Sequence, residues 1–480
     1  MNPFSFLQKN VASNPSRVAV HGPSVTMSNE ELLEASQNIA WLMRQRGVKR
    51  GDLVLMNLSQ EVECAAMLAA FHIGAISAHV SAASSPQCMQ ALGAQWLLTS
   101  DQQNEIEGVS TIRLSAEAIA SAGTIDHDFS PVSLTDTGEV LRIVFSSGTT
   151  GTPKAVPFTG DQLLARSEFL KNNVMVHQPF MCALGFDVSF GFMTFFACVR
   201  YNLPYLLPGS GRFILDQIQD FPIQSLATSP AGLAGLLRTT DQLARHHYGL
   251  KAIFTTGGFL GEEEISQAVK VFGCEPTSLY GSTEVGFVAA KKGIGQGSQD
   301  CGELFPHSNV EVVDESDRAL PSGEPGVIRV KTPWKGSEYF KDPETSTKYF
   351  RQGYFYPGDK GLIVSNRLQL MGRSNLVVNA GGVKIDPVPV EDFCVKELGC
   401  AEAVGFEHIN PGGSRSFVVA IVSSKDFKAN EAMERLRSSF GTSAPSRFFA
   451  IPVIPKNSLG KPLRQVISKQ LSIIDGKVLD

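Results

Sequence analysis

This sequence of 480 residues has few of the features that mark disulfide-rich, zinc-binding or nucleic-acid-binding proteins. Its eight cysteines form no Cys-x-x-Cys pair, and the closest two are Cys394 and Cys400. This pattern argues against a disulfide framework and a zinc site, and it favours a reducing cytoplasm. There is no block of lysine or arginine and the net charge is −5, so nothing recommends a nucleic-acid partner.

Long apolar runs and targeting segments are also scarce. The most apolar stretch, Phe190–Val199, has about half the length that a membrane span requires, and it predicts a buried helix instead. The opening residues, MNPFSFLQKN, contain no basic segment followed by an apolar one, so we expect no secretory signal and a cytoplasmic protein without a membrane span. The length itself predicts two or three domains.

What the sequence does contain is an alternation of apolar, β-rich runs with helical segments between Asp52 and Glu284. A capping box at Ser28 and Glu31 predicts the start of a helix, and a second box at Thr159 and Gln162 predicts another. Alternating strands and helices predict a mostly parallel sheet with helices on both faces. The candidate strands are DLVLMNL, QWLLTS, LRIVFSS, SLATS and KAIFTTGG.

The texture changes near residues 372–375 to short strands and hairpins with one helix, NEAMERLRSSF. We therefore predict an α/β fold with a large N-terminal domain over residues 1–372, built on mostly parallel sheets flanked by helices. A small α+β domain is expected over residues 373–480, with the boundary near 373–375.

The densest polar stretch is FSSGTTGTPK, from Phe145 to Lys154. Bare N–H groups, hydroxyls and a lysine suit the anionic oxygens of a phosphate group. The stretch is not the common P-loop, because Lys154 follows a proline and no serine or threonine comes after it to hold magnesium. A phosphate-binding loop of another kind is indicated.

This loop resembles the signature loop of the acyl-adenylate-forming enzymes, a superfamily of acyl-CoA synthetases, amino-acid adenylation domains and luciferases. Further stretches resemble the superfamily's motifs, in the same order and over nearly the whole chain. The resemblance implies binding of ATP and Mg²⁺, and a small C-terminal domain that moves about a hinge near 373–375. The matching stretches are YGSTEVG (280–286), FYPGD (355–359), GRSNLVVNAGGVKIDP (372–387) and PKNSLGK (455–461).

The resemblance also implies a role for individual residues. Thr283 bonds the α-phosphate, Glu284 holds magnesium and Lys461 is the catalytic lysine. Asp359 binds both ribose hydroxyls, and Arg373 lies near the ribose. Tyr280 packs on adenine. The remaining nucleotide contacts come from the glycine-rich loop, from the segment around Tyr280 and from Gly258, which is also a candidate for the acid pocket: Ser146, Ser147, Gly148, Thr149, Thr150, Gly151, Lys154, Gly258, Tyr280, Gly281 and Ser282.

The reaction implied is attack of a carboxylate on the α-phosphorus of MgATP, which gives an acyl-adenylate and pyrophosphate. A carboxylic acid with a pKa of about 4 is already ionised at neutral pH, so no general base is needed. The repulsion between two anions must instead be relieved by cations and hydrogen-bond donors, including Lys461. The acyl group is then transferred to the thiol of CoA or of a phosphopantetheinyl carrier protein.

The acid pocket is implied at GFDVSFGFMTFF, residues 185–196, with Phe186, Asp187, Ser189 and Phe190 as candidates. Asp187 stands where amino-acid adenylating members keep an aspartate for the substrate ammonium, or else it caps the helix beginning at Val188. Ser282 argues against an amino-acid domain, which favours proline there. Two alternatives to an acid–thiol ligase remain open: a stand-alone amino-acid adenylating enzyme that loads a carrier protein in trans, and a nucleotide-binding pseudoenzyme.

Overall fold

The computed structural model describes residues 2–80, 92–100, 107–115, 138–146, 154–209, 211–240, 248–295, 299–373, 378–380, 383–385, 387–409, 415–423, 427–457, 460–464, 466–468 and 478–479. The helices are α1 Phe4–Ser13, α2 Asn29–Gln45, α3 Gln60–Ile73, α4 Gly160–Asn173, α5 Ser189–Arg200, α6 Gly211–Asp220, α7 Pro230–Thr240, α8 Glu262–Phe272, α9 Pro343–Tyr349, α10 Val388–Lys396 and α11 Ala429–Phe440.

The strands follow the same chain order. They are β1 Val18–His21, β2 Thr26–Ser28, β3 Leu53–Asn57, β4 Ile76–His79, β5 Trp96–Thr99, β6 Ser110–Arg113, β7 Val140–Ser146, β8 Lys154–Thr159, β9 Phe180–Cys182, β10 Tyr205–Leu206, β11 Ser225–Thr228, β12 Ala252–Thr256, β13 Pro276–Ser282, β14 Gly286–Lys292, β15 Asp300–Leu304, β16 Asn309–Val313, β17 Gly326–Lys331, β18 Phe350–Arg351, β19 Tyr354–Phe355, β20 Asp359–Val364, β21 Arg367–Arg373, β22 Val378–Ala380, β23 Val383–Ile385, β24 Glu402–Ile409, β25 Arg415–Val422, β26 Phe448–Ala450 and β27 Val478–Leu479.

The chain divides into two compact units. The first unit contains Met1–Ser146, Pro153–Val310 and Val330–Phe355, and the second contains Glu311–Arg329 and Tyr356–Asp480. The boundary that the sequence indicates at 372–373 stays a prediction.

Two sheets organise the first unit. One has the strand order β6-β5-β3-β4-β7-β8, in which all pairs are parallel except the β7–β8 hairpin. The other contains β13, β12, β11 and β9 as parallel neighbours, and β14 and β15 extend it in antiparallel fashion. β3 is buried from Leu53 to Met56, as expected for a parallel strand covered on both faces.

Local sequence signals set the helices of this unit. Ser28 and Glu31 form the capping box of α2, and Thr159 and Gln162 form that of α4, as the sequence predicts. The apolar stretch at 190–199 forms the buried helix α5. Among the described helices none is long and apolar enough to cross a membrane.

The second unit is an α+β arrangement. β24 pairs with β25 in a long antiparallel hairpin, β26 runs parallel to β25, and β22 pairs with β23. α10 and α11 pack on this sheet through a core that includes Val390, Val419 and Leu436. The prediction of a mixed α/β protein with mostly parallel N-terminal sheets and a small α+β part is confirmed.

Candidate active site

The two ends of the glycine-rich stretch are brought together by a hairpin. Ser146, the last residue of β7, lies opposite Lys154, the first residue of β8. The predicted loop residues Ser147, Gly148, Thr149, Thr150 and Gly151 lie outside the described residues. A loop that leaves the carboxyl end of a strand in a largely parallel sheet is in the usual position for ligand binding.

The side chain of Lys154 contacts two tyrosines. Its Nζ lies 3.3 Å from the ring centre of Tyr349 and 5.4 Å from that of Tyr339. The two rings meet edge to face, with their centres 5.9 Å apart. A cation over an aromatic face is attracted by the ring quadrupole, so the pair holds the lysine at the base of the loop.

The segment Tyr280–Gly286 contains the tight turn, residues 283–285, that joins β13 to β14. The register shifts between Tyr280 and Gly281, and a Cβ on Gly281 would approach Gly286 O to 2.1 Å. Gly286 has a φ of +74°, which disfavours any residue with a side chain. Glycine is therefore needed at both positions to bring Ser282, Thr283 and Glu284 into the turn.

Neighbouring strands place other predicted residues at the same edge of this sheet. β12 runs parallel to β13, so Gly258, just beyond β12, and Tyr280, in the last part of β13, lie near the carboxyl ends of adjacent strands. Gly258 is exposed and Tyr280 is half-buried. Ser282 Oγ is buried and has no hydrogen-bond partner among the described residues.

Buried donors fix the backbone of the turn. The Arg166 guanidinium donates to the carbonyl oxygens of Thr283, at 2.8 Å, and Glu284, at 3.0 Å. Val285 O accepts from Trp334 Nε1 at 2.9 Å and from Thr332 Oγ1 at 3.0 Å. Burial lowers the pKa of Arg166 to about 9, with the charge of Glu284 opposing the shift, so the guanidinium is still cationic at neutral pH. The turn is thus rigidly held from the side of the core.

The carboxylate of Glu284 is itself nearly buried, with 5% of the residue exposed. Tyr339 Oη donates to Glu284 Oε1 at 3.0 Å. Burial, reinforced by the negative charge of Glu284, raises the pKa of Tyr339, so the phenol keeps its proton and remains a donor.

This donor set fits a magnesium ion. Magnesium prefers oxygen ligands and commonly takes one or two carboxylates, the rest of its shell being water and phosphate oxygen. Glu284 supplies one ionisable carboxyl group that is oriented by a hydrogen bond at a single oxygen.

The candidate pocket segment lies beside this turn. Phe190 packs edge to face on Phe287, with ring centres 4.9 Å apart, and Phe186 is buried against Phe195 and Tyr205. Ser189 is the first residue of α5, and the N-cap residue Val188 has no capping hydrogen bond from its side chain. No described hydrogen bond joins Asp187 to this helix, so the alternative role of Asp187 as its cap is not supported.

A buried charge cluster lies next to Phe186. Arg142 Nη2 donates to Glu63 Oε1 at 3.0 Å and to Phe186 O at 3.1 Å, and the side chains of Arg142 and Glu63 are fully buried. His79 Nδ1 lies 2.6 Å from Glu63 Oε2. Burial lowers the pKa of Arg142, while the charges of Glu63 and Asp187 oppose the shift. Asp187 therefore has a protein cation in its surroundings.

In the second unit, strand pairing brings two predicted residues together. Asp359, the first residue of β20, lies opposite Arg373, the last residue of β21, and Asp359 is 3% exposed. The preceding Tyr356 donates to Asp317 Oδ1 at 3.1 Å and accepts from Arg329 Nη1 at 3.3 Å. The part of this motif that belongs to the second unit, residues 356–359, is thereby anchored within that unit.

Lys461 lies in a turn of the second unit. Its backbone N–H donates to Asn457 Oδ1 at 2.9 Å, and Asn457 N donates back to Lys461 O at 2.9 Å. Arg464 Nη2 donates to both carboxylate oxygens of Glu391, at 2.7 and 2.9 Å, which ties this segment to α10. The backbone of Lys461 is thus held by Asn457.

Several contacting residues were missed from the sequence: Glu63, Arg142, Arg166, Trp334 and Tyr339. The sequence did contain a signal for the three charged residues, because each of them interrupts a run of apolar residues. Arg166 stands three residues after Leu163 on the buried face of α4, and Arg142 lies within the strand VLRIVFS. A charge at such a position indicates a buried partner. Trp334 and Tyr339 carried no comparable signal.

The chain is similar to known enzymes over most of its length. The family model described as AMP-binding enzyme matches residues 7–340. A 4-chlorobenzoate–CoA ligase of Arthrobacter sp is 22% identical over 500 residues, covering 95% of this chain and 93% of the relative. A naringenin synthase of Pestalotiopsis fici is 23% identical over 95% of this chain, which spans only 18% of that protein's length.

Solved structures share the fold. O-succinylbenzoate coenzyme A synthetase (MenE) from Bacillus subtilis, in complex with ATP and magnesium ion, superposes with a TM-score of 0.81 at 20% identity, covering 96% of this chain and 98% of that one. The match to the family model extends from α1 to the segment that contains Tyr339. The chain therefore belongs to the AMP-binding enzyme family, which confirms the prediction of an acyl-adenylate-forming enzyme whose class is the AMP-forming acid–thiol ligase.

Proposed function

We propose that this protein activates a small carboxylic acid as its acyl-adenylate, with release of pyrophosphate, and then transfers the acyl group to the thiol of CoA. The observation that carries the proposal is the buried Glu284 carboxylate, oriented by Tyr339 in a turn that Arg166 and Trp334 hold from behind. Such a preorganised carboxylate, connected through Tyr339 to Lys154 at the end of the proposed phosphate-binding stretch, suits displacement at phosphorus. A carboxylate on a surface loop would lack this preorganisation.

Each motif residue has a task in this proposal. Ser146, Lys154 and the loop between them bind the β- and γ-phosphates, and Thr283 donates to the α-phosphate. Asp359 accepts from the ribose hydroxyls, because an ionised carboxylate can accept two hydrogen bonds from a diol. Tyr280 packs on the adenine. The other residues that we assign to the nucleotide are Ser147, Gly148, Thr149, Thr150, Gly151, Gly258, Gly281, Ser282 and Arg373.

Glu284 would hold the magnesium ion, which when bound neutralises phosphate charge and favours the departure of pyrophosphate. Lys461 brings a positive charge to the attacking carboxylate during adenylation only. The second step requires a thiol to reach the mixed anhydride. We propose that the C-terminal region then moves about residues 373–375, so that Lys461 leaves the reacting group and the thiol can approach it.

The leading acceptor is CoA rather than a carrier protein. The similar ligase and the similar synthetase are named for coenzyme A, and both are covered almost completely by this chain. A carrier-protein phosphopantetheine remains the second acceptor to be tested, because it presents the same thiol.

The alternative, an amino-acid adenylating enzyme, depends on a role for Asp187 in binding a substrate ammonium. The charge of Arg142 acts on Asp187, but Arg142 is already paired with Glu63. The preference for acids without an α-amino group therefore rests on Ser282, which stands where amino-acid domains favour proline. The candidate residues of the acid pocket are Phe186, Asp187, Ser189 and Phe190.

An exchange assay between ATP and labelled pyrophosphate tests the proposal, with matched pairs of acids such as 3-phenylpropionate and phenylalanine. We expect exchange with aromatic, fatty or hydroxy acids and little with the α-amino member of each pair. Exchange with amino acids alone, abolished in Asp187→Ala, would instead establish the amino-acid adenylating enzyme. Absence of exchange with every acid, while ATP still binds, would support the pseudoenzyme.

A further inference from the structure

Two tyrosines, Tyr339 and Tyr349, connect Lys154 to Glu284 in space, and neither belongs to a sequence motif with an assigned role. Tyr339 is 1% exposed, its ring contacts that of Tyr349, and both rings lie near the ammonium of Lys154. The other end of Tyr339 is the hydroxyl that donates to Glu284 Oε1. One side chain thus touches both the base of the phosphate loop and the buried carboxylate.

Tyr339 is itself held in place. Its backbone N–H donates to Ser346 Oγ at 2.8 Å, and Ser346 Oγ donates to Asp342 O at 2.6 Å. Asp342 also caps α9 by accepting from Thr345 N at 2.9 Å. The ring of Phe350 packs against that of Tyr339 at 5.2 Å between centres. The phenol therefore cannot turn away from Glu284 without disturbing α9.

A carboxylate has two oxygens and rotates about its last bond unless something fixes it. The hydrogen bond at Oε1 selects one rotation of the Glu284 carboxylate and reduces the negative charge on that oxygen. Arg166 is a buried cation whose charge interacts with that of Glu284, but its described hydrogen bonds go to backbone carbonyls. The orienting contact to the side chain is that of Tyr339.

We propose that Tyr339 is a positioning residue that fixes the Glu284 carboxylate so that Oε2 is presented to the metal of a bound metal–nucleotide complex. The proposal rests on the assignment of Glu284 as the magnesium ligand. Tyr339 does not touch the metal in this account. It acts by orienting Glu284, and its ring also contacts the ammonium group of Lys154.

The test is the variant Tyr339→Phe, which keeps the ring and removes only the hydroxyl. Mn²⁺ binding is measured by electron paramagnetic resonance in the presence of α,β-methylene-ATP, a nucleotide that cannot be cleaved to AMP. We expect the Mn²⁺ dissociation constant to rise roughly tenfold, the size of effect expected for a lost hydrogen bond to a charged group. The matched control is Tyr248→Phe, which removes the hydroxyl of another buried tyrosine of the first unit and should leave Mn²⁺ binding unchanged.

A second set of variants separates positioning from a general loss of structure. In the Glu284→Gln background, Tyr339→Phe should weaken Mn²⁺ binding no further, because the two changes remove the same ligand interaction. In the exchange assay, excess Mg²⁺ should restore the rate of Tyr339→Phe. A variant that is merely destabilised would not recover its exchange rate in this way.

The possible failures can be told apart. If Glu284→Gln weakens Mn²⁺ binding and Tyr339→Phe does not, the role of Tyr339 is wrong while that of Glu284 stands. If neither variant changes Mn²⁺ binding, the assignment of Glu284 on which both depend is wrong. A Tyr339→Phe rate that stays low at saturating Mg²⁺ would also contradict the positioning role.

Discussion

One pair of opposite charges in this protein is buried and compensated internally rather than by solvent. Arg142 and Glu63 have fully buried side chains and share a hydrogen bond of 3.0 Å, and His79 contacts the second oxygen of Glu63. Removing one member of such a pair leaves the other charge buried without its counter-ion. The carbonyl of Phe186 also depends on Arg142, which connects the pair to the candidate acid pocket.

We predict that Arg142→Met destabilises the protein by about 3 to 5 kcal/mol, because the Glu63 carboxylate is left without its cation. Urea unfolding followed by fluorescence measures the change. Arg50→Met is the control, since Arg50 pairs with Glu139 at the partly exposed surface and should cost about 1 kcal/mol or less.

A double variant completes this test. Glu63→Gln combined with Arg142→Met should recover part of the stability that Arg142→Met loses, because no uncompensated charge remains. If the losses of the two single variants simply add, the ion pair is not the source of the effect.

At the scale of elements, an aromatic cluster packs α4 against the segments that follow β15 and β17. Phe169 lies 5.0 Å from Phe305 and 5.6 Å from Trp334, and His307 lies 4.5 Å from Trp334 between ring centres. Trp334 in turn holds the Glu284 turn through Val285 O. The residues that support the Glu284 turn therefore include His307, whose imidazole ring can titrate.

The pH dependence of stability follows from this ring. Burial lowers the pKa of His307, although a bond to Phe287 O acts in the opposite direction. Above the ordinary histidine pKa of about 6.5 the ring is neutral in both the folded and the unfolded state. As the pH falls below that value, the unfolded chain takes up a proton that the folded state binds less readily, so stability is lost.

We therefore predict that the free energy of unfolding falls more between pH 8 and pH 5 in the natural protein than in His307→Phe, measured by urea unfolding at each pH. The other histidines, including His408 with its own lowered pKa, contribute equally to both proteins and cancel in the difference. Equal losses in the two proteins would show that His307 does not titrate with folding.

The elements were largely predictable, because their signals are local. Both capping boxes, the buried helix α5 and the strands around Leu53 and Ala252 follow from spacing and apolar pattern. The network behind Glu284 was only partly predictable, because its members come from distant parts of the chain. Arg166 interrupts the apolar face of α4, which indicates a buried partner but does not identify it. Trp334 and Tyr339 carry no such signal, and the bonds of Arg166 and Trp334 go to backbone oxygens, which leave no pattern in the sequence.

At the scale of the molecule, the motifs are divided between the two units. Ser146, Lys154 and Glu284 belong to the first unit, while Asp359 and Lys461 belong to the second. That the motifs of both units serve one nucleotide is a prediction from their order in the sequence, and the proposed function rests on it. The central claim is therefore that Lys461 serves adenylation and that the thiol step proceeds without it.

Lys461→Ala tests this claim most directly, with the two half-reactions measured separately. The control is Lys396→Ala, which removes an exposed lysine of the second unit that pairs with Asp392. We predict that Lys461→Ala loses acid-dependent ATP–pyrophosphate exchange by roughly 100-fold or more, as expected when a charge that stabilises the transition state is removed. The same variant should still convert supplied acyl-adenylate and CoA into thioester at close to the rate of Lys396→Ala. Equal loss of both half-reactions, or undiminished exchange, would contradict the account.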